Sequence, residues 1–247
     1  MTTFKDLFST QAADYAKFRP TYPPELYKYL SKLPKEHYCA WDCGTGNGQA
    51  AVELAQYFMK VEATDPSEKQ ISQAIKNPKI LYRVASAENS GLPDKCIDLI
   101  TVAQAFHWFN QKEFFKEVKR VIKKQGILAV WCYGLAKVNP QFDEAILKFY
   151  EGTLGDYWDP GRKLVDEGYR KEIFPFEELV TPKFQIKKDW TFEEFIGYLG
   201  TWSALQTYIQ KNSKNPLLEI SPELKRLWKE NGKCPVTWEI SLRVFRI

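Results

Sequence analysis

Trp41-Asp42-Cys43-Gly44-Thr45-Gly46-Asn47-Gly48-Gln49 is the stretch that decides the fold. It follows a short apolar run, Tyr38 to Asp42, and opens a helical pattern over Ala50 to Phe58 in which Val52, Leu54, Ala55 and Phe58 are apolar. A strand ending in a carboxylate, then closely spaced glycines, then a helix reads as the first crossover of an open α/β sheet. Glycines there permit positive φ and let a ligand approach the backbone. A dinucleotide fingerprint would place glycine or alanine three residues after Gly46, where this chain has Gln49, and the Lys-Ser/Thr of a phosphate loop is missing. Asp65 ends a second strand, Lys60 to Thr64, about 20 residues beyond Gly44, the place where an acidic side chain accepts ribose hydroxyls.

The alternation continues on both sides of this unit. Ser67 is suited to cap a helix running to Ile75, Lys79 to Ala85 and Ile97 to Ala103 read as strands, Phe114 to Ile122 is amphipathic, and Ile127 to Tyr133 is strongly apolar. Such alternation predicts a parallel sheet covered on both faces. Upstream, Phe4, Leu7, Phe8, Tyr15 and Phe18 suggest short helical turns, and Pro24 is placed to start a helix reaching Leu33. After Gly134 the pattern becomes helical over about 141–151 and 162–171, with a strand near Lys183 to Trp190 and one aromatic helix from Phe192 to Tyr208. Val236, Trp238, Ile240, Leu242 and Val244 alternate with polar residues, so the chain closes on a strand that pairs antiparallel with 183–190. The expected organisation is one domain: a helical cap at 1–35, a core at 36–134, an insertion covering the site at 135–235, and the last strand at 236–247.

Composition sets the outer limits. The chain has 247 residues, 44% hydrophobic and 27% charged, which is ordinary for a globular protein. Eight tryptophans and thirteen tyrosines are the unusual feature, and such side chains are buried, cover a ligand, or both. The net charge of +4 is scattered, and pairs such as Lys123-Lys124 and Lys187-Lys188 are too short for a nucleic-acid stripe. Five cysteines are an odd number without a CxxC pair; Cys39, Cys43, Cys96 and Cys132 read as small buried hydrophobes in a reducing compartment, and neither His37 nor His107 lies near a cysteine pair at the spacing of a zinc site. No signal-like or membrane-spanning run is visible, so the expected location is cytoplasmic.

The glycine loop resembles motif I of the class I S-adenosylmethionine (SAM)-dependent methyltransferases, and Asp65-Pro66-Ser67 resembles their strand-2 acidic motif. Ala85-Ser86-Ala87-Glu88, Leu92-Pro93-Asp94, Asp98-Leu99-Ile100 and Ala103-Gln104-Ala105-Phe106-His107-Trp108 resemble the adenine-contacting loop and fourth strand of that family. Within it, Tyr15 to Pro23, Gln104 to Trp108 and Thr201-Trp202-Ser203-Ala204 are similar to trans-aconitate methyltransferases and their fungal relatives. One departure is Ser86, where many members carry Asp toward the adenine amine. The resemblance implies a Rossmann-like α/β fold: a mostly parallel seven-stranded sheet, helices on both faces, an antiparallel final strand and a helical insertion over the site.

It also implies site roles. Asp42 and Gly44 shape the loop against the methionine part of SAM, Asp65 takes the ribose hydroxyls, Arg19 pairs with the methionine carboxylate, and Gly46 and Pro66 also bind the cofactor. Tyr15 closes over the cofactor, Gln104 lies beside it, and Ala87 and Glu88 recognise adenine. The acceptor pocket draws on Trp108, Trp131, Tyr133, Trp158, Tyr198 and Trp202, with Trp131 equally readable as core. Arg162 and Arg243 are candidates to meet an acidic acceptor. His107 stands as a base, an orienting donor or a packed residue. The implied reaction is methyl transfer to a small molecule, foremost a carboxylate oxygen giving a methyl ester. The rivals are a hydroxyl, amine or thiol acceptor, a non-catalytic SAM-binding protein, and a nicotinamide enzyme opposed by Gln49.

Overall fold

The computed structural model describes residues 18–228 and 232–247. The helical turns expected before residue 18, Tyr15 among them, lie outside the described residues. Helix α1, Pro24–Leu30, starts on Pro24, whose missing N–H is needed by no helical partner at that position. It buries Leu26, Tyr27 and Leu30 and stops short of the expected Leu33.

Strands β1 (Cys39–Cys43), β2 (Lys60–Asp65), β3 (Ile80–Val84), β4 (Ile97–Ala103) and β5 (Ile122–Tyr133) pair in parallel in the order β3-β2-β1-β4-β5. Strand β8 (Cys234–Arg246) runs antiparallel beside β5. Two more strands pair with β8: β6 (Glu177–Leu179) and β7 (Phe184–Trp190), the latter where a strand near 183–190 is expected. Among the described residues the sheet therefore has eight strands where seven are expected. Leu179 pairs with Val244 and Phe184 with Ile240, so β6 and β7 follow one another along the same edge. Pro182, which has no N–H to give a ladder, sits in the break between them.

Helices cover both faces. On one lie α1, α2 (Gln49–Leu54), α5 (Pro140–Lys148), α7 (Phe192–Gly200), α8 (Ser203–Asn212) and α9 (Pro216–Leu227). On the other lie α4 (Gln111–Val121) and α6 (Arg162–Asp166). Ser67 caps α3 (Glu68–Ser72), its Oγ accepting from the Gln70 amide at 3.3 Å, although α3 ends before Ile75. Helix α6 is shorter than the 162–171 pattern because Gly168 and Tyr169 turn left-handed. The single helix expected from Phe192 to Tyr208 is two. Thr201 turns its hydroxyl onto the Tyr198 carbonyl at 2.7 Å, and Trp202 takes an extended conformation, so α7 ends and α8 starts afresh.

Trp131 lies near the carboxyl end of β5 and is 0% exposed. The rings of Tyr22 and Tyr27 stand edge-on to it at 5.5 and 6.2 Å. It is core, which corrects its place in the expected acceptor pocket. Replacing Trp131 with Ala is expected to cost about 3–5 kcal/mol, read from the urea midpoint, and an unchanged midpoint would contradict this placement.

Candidate active site

A cleft opens at the carboxyl ends of β1 and β4, where the chain crosses to opposite faces of the sheet and where ligands of open α/β folds bind. Its floor is the loop from Asp42 to Asn47, the segment Asp65 to Ser67, and the turn from Ala103 to Phe109. Its roof comes from Arg19 and Tyr22 before α1, from Trp158 and Asp159 before α6 with Arg162 at its start, and from Trp202 and Ser203 at the α7–α8 break.

The floor depends on backbone conformations that favour glycine. Gly44 has φ +72°, and a Cβ on it would fall 2.5 Å from the Ala105 Cβ. Gly48 has φ +89°, and a Cβ there would meet the Tyr82 hydroxyl at 2.2 Å. The Asp65 carboxylate bridges two segments, accepting from the Gly46 amide and the Ser67 amide at 2.9 Å each. Asp42 accepts from the hydroxyls of Thr45 at 2.6 Å and Thr101 at 2.8 Å. Burial pushes its carboxyl up to about 6, while those two hydroxyls pull the other way.

Gln104 also adopts a left-handed conformation, with φ +56°. Its backbone amide donates to the Trp131 carbonyl at 2.9 Å, while its side-chain amide pairs with both backbone groups of Tyr133, at 2.9 and 3.3 Å. A side chain thus continues the β4–β5 ladder after β4 ends. Arg19 joins three elements: it donates to the Tyr133 hydroxyl and the Thr201 carbonyl, both at 3.2 Å, and lies 5.4 Å from the centre of the Tyr198 ring.

His107 lies in the single turn Phe106–Trp108. Its Nδ1 is 3.0 Å from the Tyr169 hydroxyl, and its ring tilts against Trp108 at 4.8 Å. Burial first, then the neighbouring Arg162 charge, pull its pKa down to about 3, so the imidazole is neutral. Trp158 donates from Nε1 to the Tyr150 carbonyl at 3.1 Å and packs on the rings of Tyr150 and Trp202 at 4.6 and 5.6 Å. Burial also pushes the Cys39 and Cys132 thiols up to about 12 each, so neither is a thiolate at neutral pH.

The cleft brings together Asp42, Gly44, Gly46, Asp65 and Pro66 from the first two crossovers, with Gln104, His107 and Trp108 after β4. Arg19, Tyr133, Trp158, Trp202 and Arg162 complete the expected residues that line it. Others lie elsewhere. Tyr198 is buried behind the wall, and its hydroxyl accepts from the Trp238 indole at 3.3 Å. Ala87 packs into the core on the α4 face, and Glu88 accepts from the Asn110 amide at 2.8 Å, so neither lines the cleft. Arg243 forks onto Glu178 at 2.8 Å through two nitrogens and holds the Tyr169 and Glu172 carbonyls, each at 2.7 Å, away from any acceptor. Sequence reasoning missed Tyr22, Thr45 and Asp159 as residues lining the cleft. Asp159-Pro160-Gly161, a turn sequence directly before a helix, was the legible signal for the last of these.

Residues 41–130 match the family model described as a methyltransferase domain. A Dictyostelium discoideum protein named as a methyltransferase is 39% identical over 250 residues, which cover 100% of this chain and 95% of that one. A Schizosaccharomyces pombe protein named as a methyltransferase is 33% identical over 240 residues, with 94% and 93% of the two chains covered. The solved structure of an Anaeromyxobacter dehalogenans protein described as a type II methyltransferase superposes with a TM-score of 0.86 and 41% identity, over 93% of this chain and 98% of that one. The chain belongs to the class I SAM-dependent methyltransferases.

The low His107 pKa has two measurable consequences. By NMR, the His107 ring signals are expected to hold their neutral positions from pH 8 down to about pH 5, and a transition near 6.5 would contradict the burial of the ring. The folded pKa lies below the unfolded one, so the unfolded chain binds more protons between about pH 3 and 6.5, and His107 lowers stability as pH falls through that window. His107→Gln is expected to flatten that part of the stability profile.

Proposed function

We propose that this cleft holds SAM and that the protein transfers its methyl group to a carboxylate oxygen of a small organic acid, giving a methyl ester. The floor suits the cofactor. Gly46 is left-handed, and the nearest described protein atom to a Cβ there is Gln70 Oε1 at 3.9 Å, which leaves its backbone open to close approach. Asp42, Gly44 and Gly46 would shape the site around the methionine part, Asp65 and Pro66 would meet the ribose, and Gln104 would lie alongside. Arg19 would take the methionine carboxylate, for which a guanidinium fork is matched. Tyr15 is assigned to closing the site. Ala87 and Glu88 have no part in this proposal, because they do not line the cleft. Bound there, the cofactor supplies an activated methyl group on a positively charged sulfur.

The protein's own part is alignment and exclusion of water. Holding two reactants in register lowers a barrier by roughly 7–11 kcal/mol. Trp108, Trp158, Trp202 and Tyr133 supply an aromatic wall against which a small acceptor can be oriented.

The observation that carries the carboxylate reading is how His107 is held: its Nδ1 is engaged by the Tyr169 hydroxyl at 3.0 Å, and burial with the neighbouring Arg162 charge pulls its pKa down. A phenol or an ammonium group must lose a proton before it can attack. An imidazole whose pKa is about 3 is a poor acceptor for that proton. A carboxylate is ionised at neutral pH and requires no base. His107 then serves as an orienting, packed residue beside the acceptor rather than a base.

The test is methyl transfer from labelled SAM to a panel of small carboxylic acids, trans-aconitate included, with phenols and amines as controls and products read by mass spectrometry. A methyl ester is expected, and methylation of the phenols or amines alone would overturn the reading. In the same assay His107→Asn is expected to lower kcat by less than about 10-fold, whereas loss of a general base costs roughly 10²–10⁴-fold.

A further inference from the structure

Arg162 opens α6 from the turn Asp159-Pro160-Gly161, beside His107. Glycine is needed just before it, because a Cβ on Gly161 would fall 2.8 Å from the His107 carbonyl oxygen. The guanidinium is fixed on one side only. Its Nε donates to the Tyr150 hydroxyl at 2.8 Å and to Asp166 at 3.2 Å, and the same Tyr150 hydroxyl donates to Asp166. Its centre lies 5.1 Å from the Trp158 ring centre and 5.5 Å from that of Tyr150. Among the described residues, no protein acceptor takes a hydrogen bond from Nη1 or Nη2. The side chain keeps 18% exposure, so those two nitrogens can be approached from the cleft it lines.

The acids lining the same cleft have internal donors. Asp42 accepts from two threonine hydroxyls, Asp65 from two backbone amides, and Asp159 from the Gly161 amide at 2.9 Å. The wall therefore presents a pre-set pair of guanidinium donors that internal carboxylates do not consume. Two parallel N–H groups on a rigid plane match a carboxylate or another flat-edged oxyanion.

We propose that Nη1 and Nη2 of Arg162 grip an anionic group of the acceptor that is not the group methylated, so that the acceptor carries at least two anionic groups. The second half of this proposal rests on the carboxylate reading above. A carboxylate held by a guanidinium fork has both oxygens engaged and its charge drawn toward the cation, which makes it a poor nucleophile. The gripped group orients the molecule and the ungripped one reacts. Arg162 is thereby a specificity-determining residue, and Gly161, Tyr150 and Asp166 position it.

Binding is measured by calorimetry in the presence of S-adenosylhomocysteine, with unbranched four- to six-carbon dicarboxylates, their monomethyl esters and the matching phosphonocarboxylates as probes. At least one dianionic probe is expected to bind the unaltered protein ~10–100-fold more tightly than its monoester, the range expected for hydrogen bonds to a charged group. Arg162→Gln is expected to abolish that difference, and Arg162→Lys, which keeps the charge but loses the fork, to restore part of it. Affinity for S-adenosylhomocysteine should stay unchanged in both variants. Equal binding of diacid and monoester, no binding of any dianion up to millimolar concentration, or undiminished preference in Arg162→Gln would overturn the proposal. The first two comparisons use the unaltered protein and stand even where a variant fails to fold. Tighter binding of phosphonocarboxylates than of dicarboxylates would assign the fork to a phosphorus oxyanion. The two readings fail separately: a methyl group found on a hydroxyl or amine, with the Arg162 dependence intact, removes the carboxylate reading and leaves the anion grip standing.

Discussion

Two loops leaving adjacent parallel strands meet at closer than side-chain distance, and the rest of the site follows from that meeting. The Gly44 position faces Ala105 so closely that even one added carbon would fall 2.5 Å from the Ala105 Cβ. Gly44 is the first residue after β1, and Ala105 lies two residues after β4. Their contact sets the depth of the cleft at the switch point of the sheet. Asp65 fixes the same loop from the other side, since its two oxygens hold the Gly46 and Ser67 amides. The floor is thereby built from backbone and one carboxylate. That construction leaves variation in ligand chemistry to the roof.

The roof is aromatic and charged, and its parts come from distant stretches of chain. Arg19 ties the segment before α1 to β5 through Tyr133 and to the α7–α8 break through Thr201. The break places Trp202 beside Trp158, and the Trp158 ring is one of the two faces that hold Arg162. The segment before α1, the turn before α6 and the helix pair α7–α8 therefore meet through a few side chains. His107 lies where floor and roof join, held through Tyr169, whose carbonyl is in turn held by Arg243. Arg243 thus acts on the site from behind. It maintains the strand–turn geometry that places His107 and does not reach into the cleft.

Much of this arrangement was legible in the chain because it rests on local rules. Gly44, Gly46 and Gly48 all have positive φ, the conformation a glycine-rich crossover calls for. Ser67 caps α3, and the alternation from Val236 onward is a strand whose apolar side is buried at Val236, Trp238, Ile240 and Val244. What was not legible depended on which way an aromatic faces. Every residue of β5 from Gly126 to Tyr133 except Gly126 itself carries a buried side chain, so alternation there carries no information on which side meets a ligand, and Trp131 could be placed only by the fold. Tyr198 shares α7 with buried Phe195 and Leu199, and its role is set by Trp238 from a strand forty residues away. Arg243 reads as a polar residue in an alternating strand, while its partner Glu178 is on β6, a strand of three residues too short to show any period. The α7–α8 break contains no proline. It depends on a threonine hydroxyl competing for a backbone carbonyl, which propensity alone does not reveal.

Whether the floor built on Gly44 and Asp65 is where the cofactor binds is tested by calorimetric titration of S-adenosylhomocysteine into the unaltered protein and into Asp65→Ala. One site per chain is expected in the unaltered protein, and an affinity at least ~10-fold weaker in the variant, the scale of losing hydrogen bonds to a charged group. Equal affinity in the two proteins, or no binding to the unaltered protein, would contradict a cofactor site on this floor.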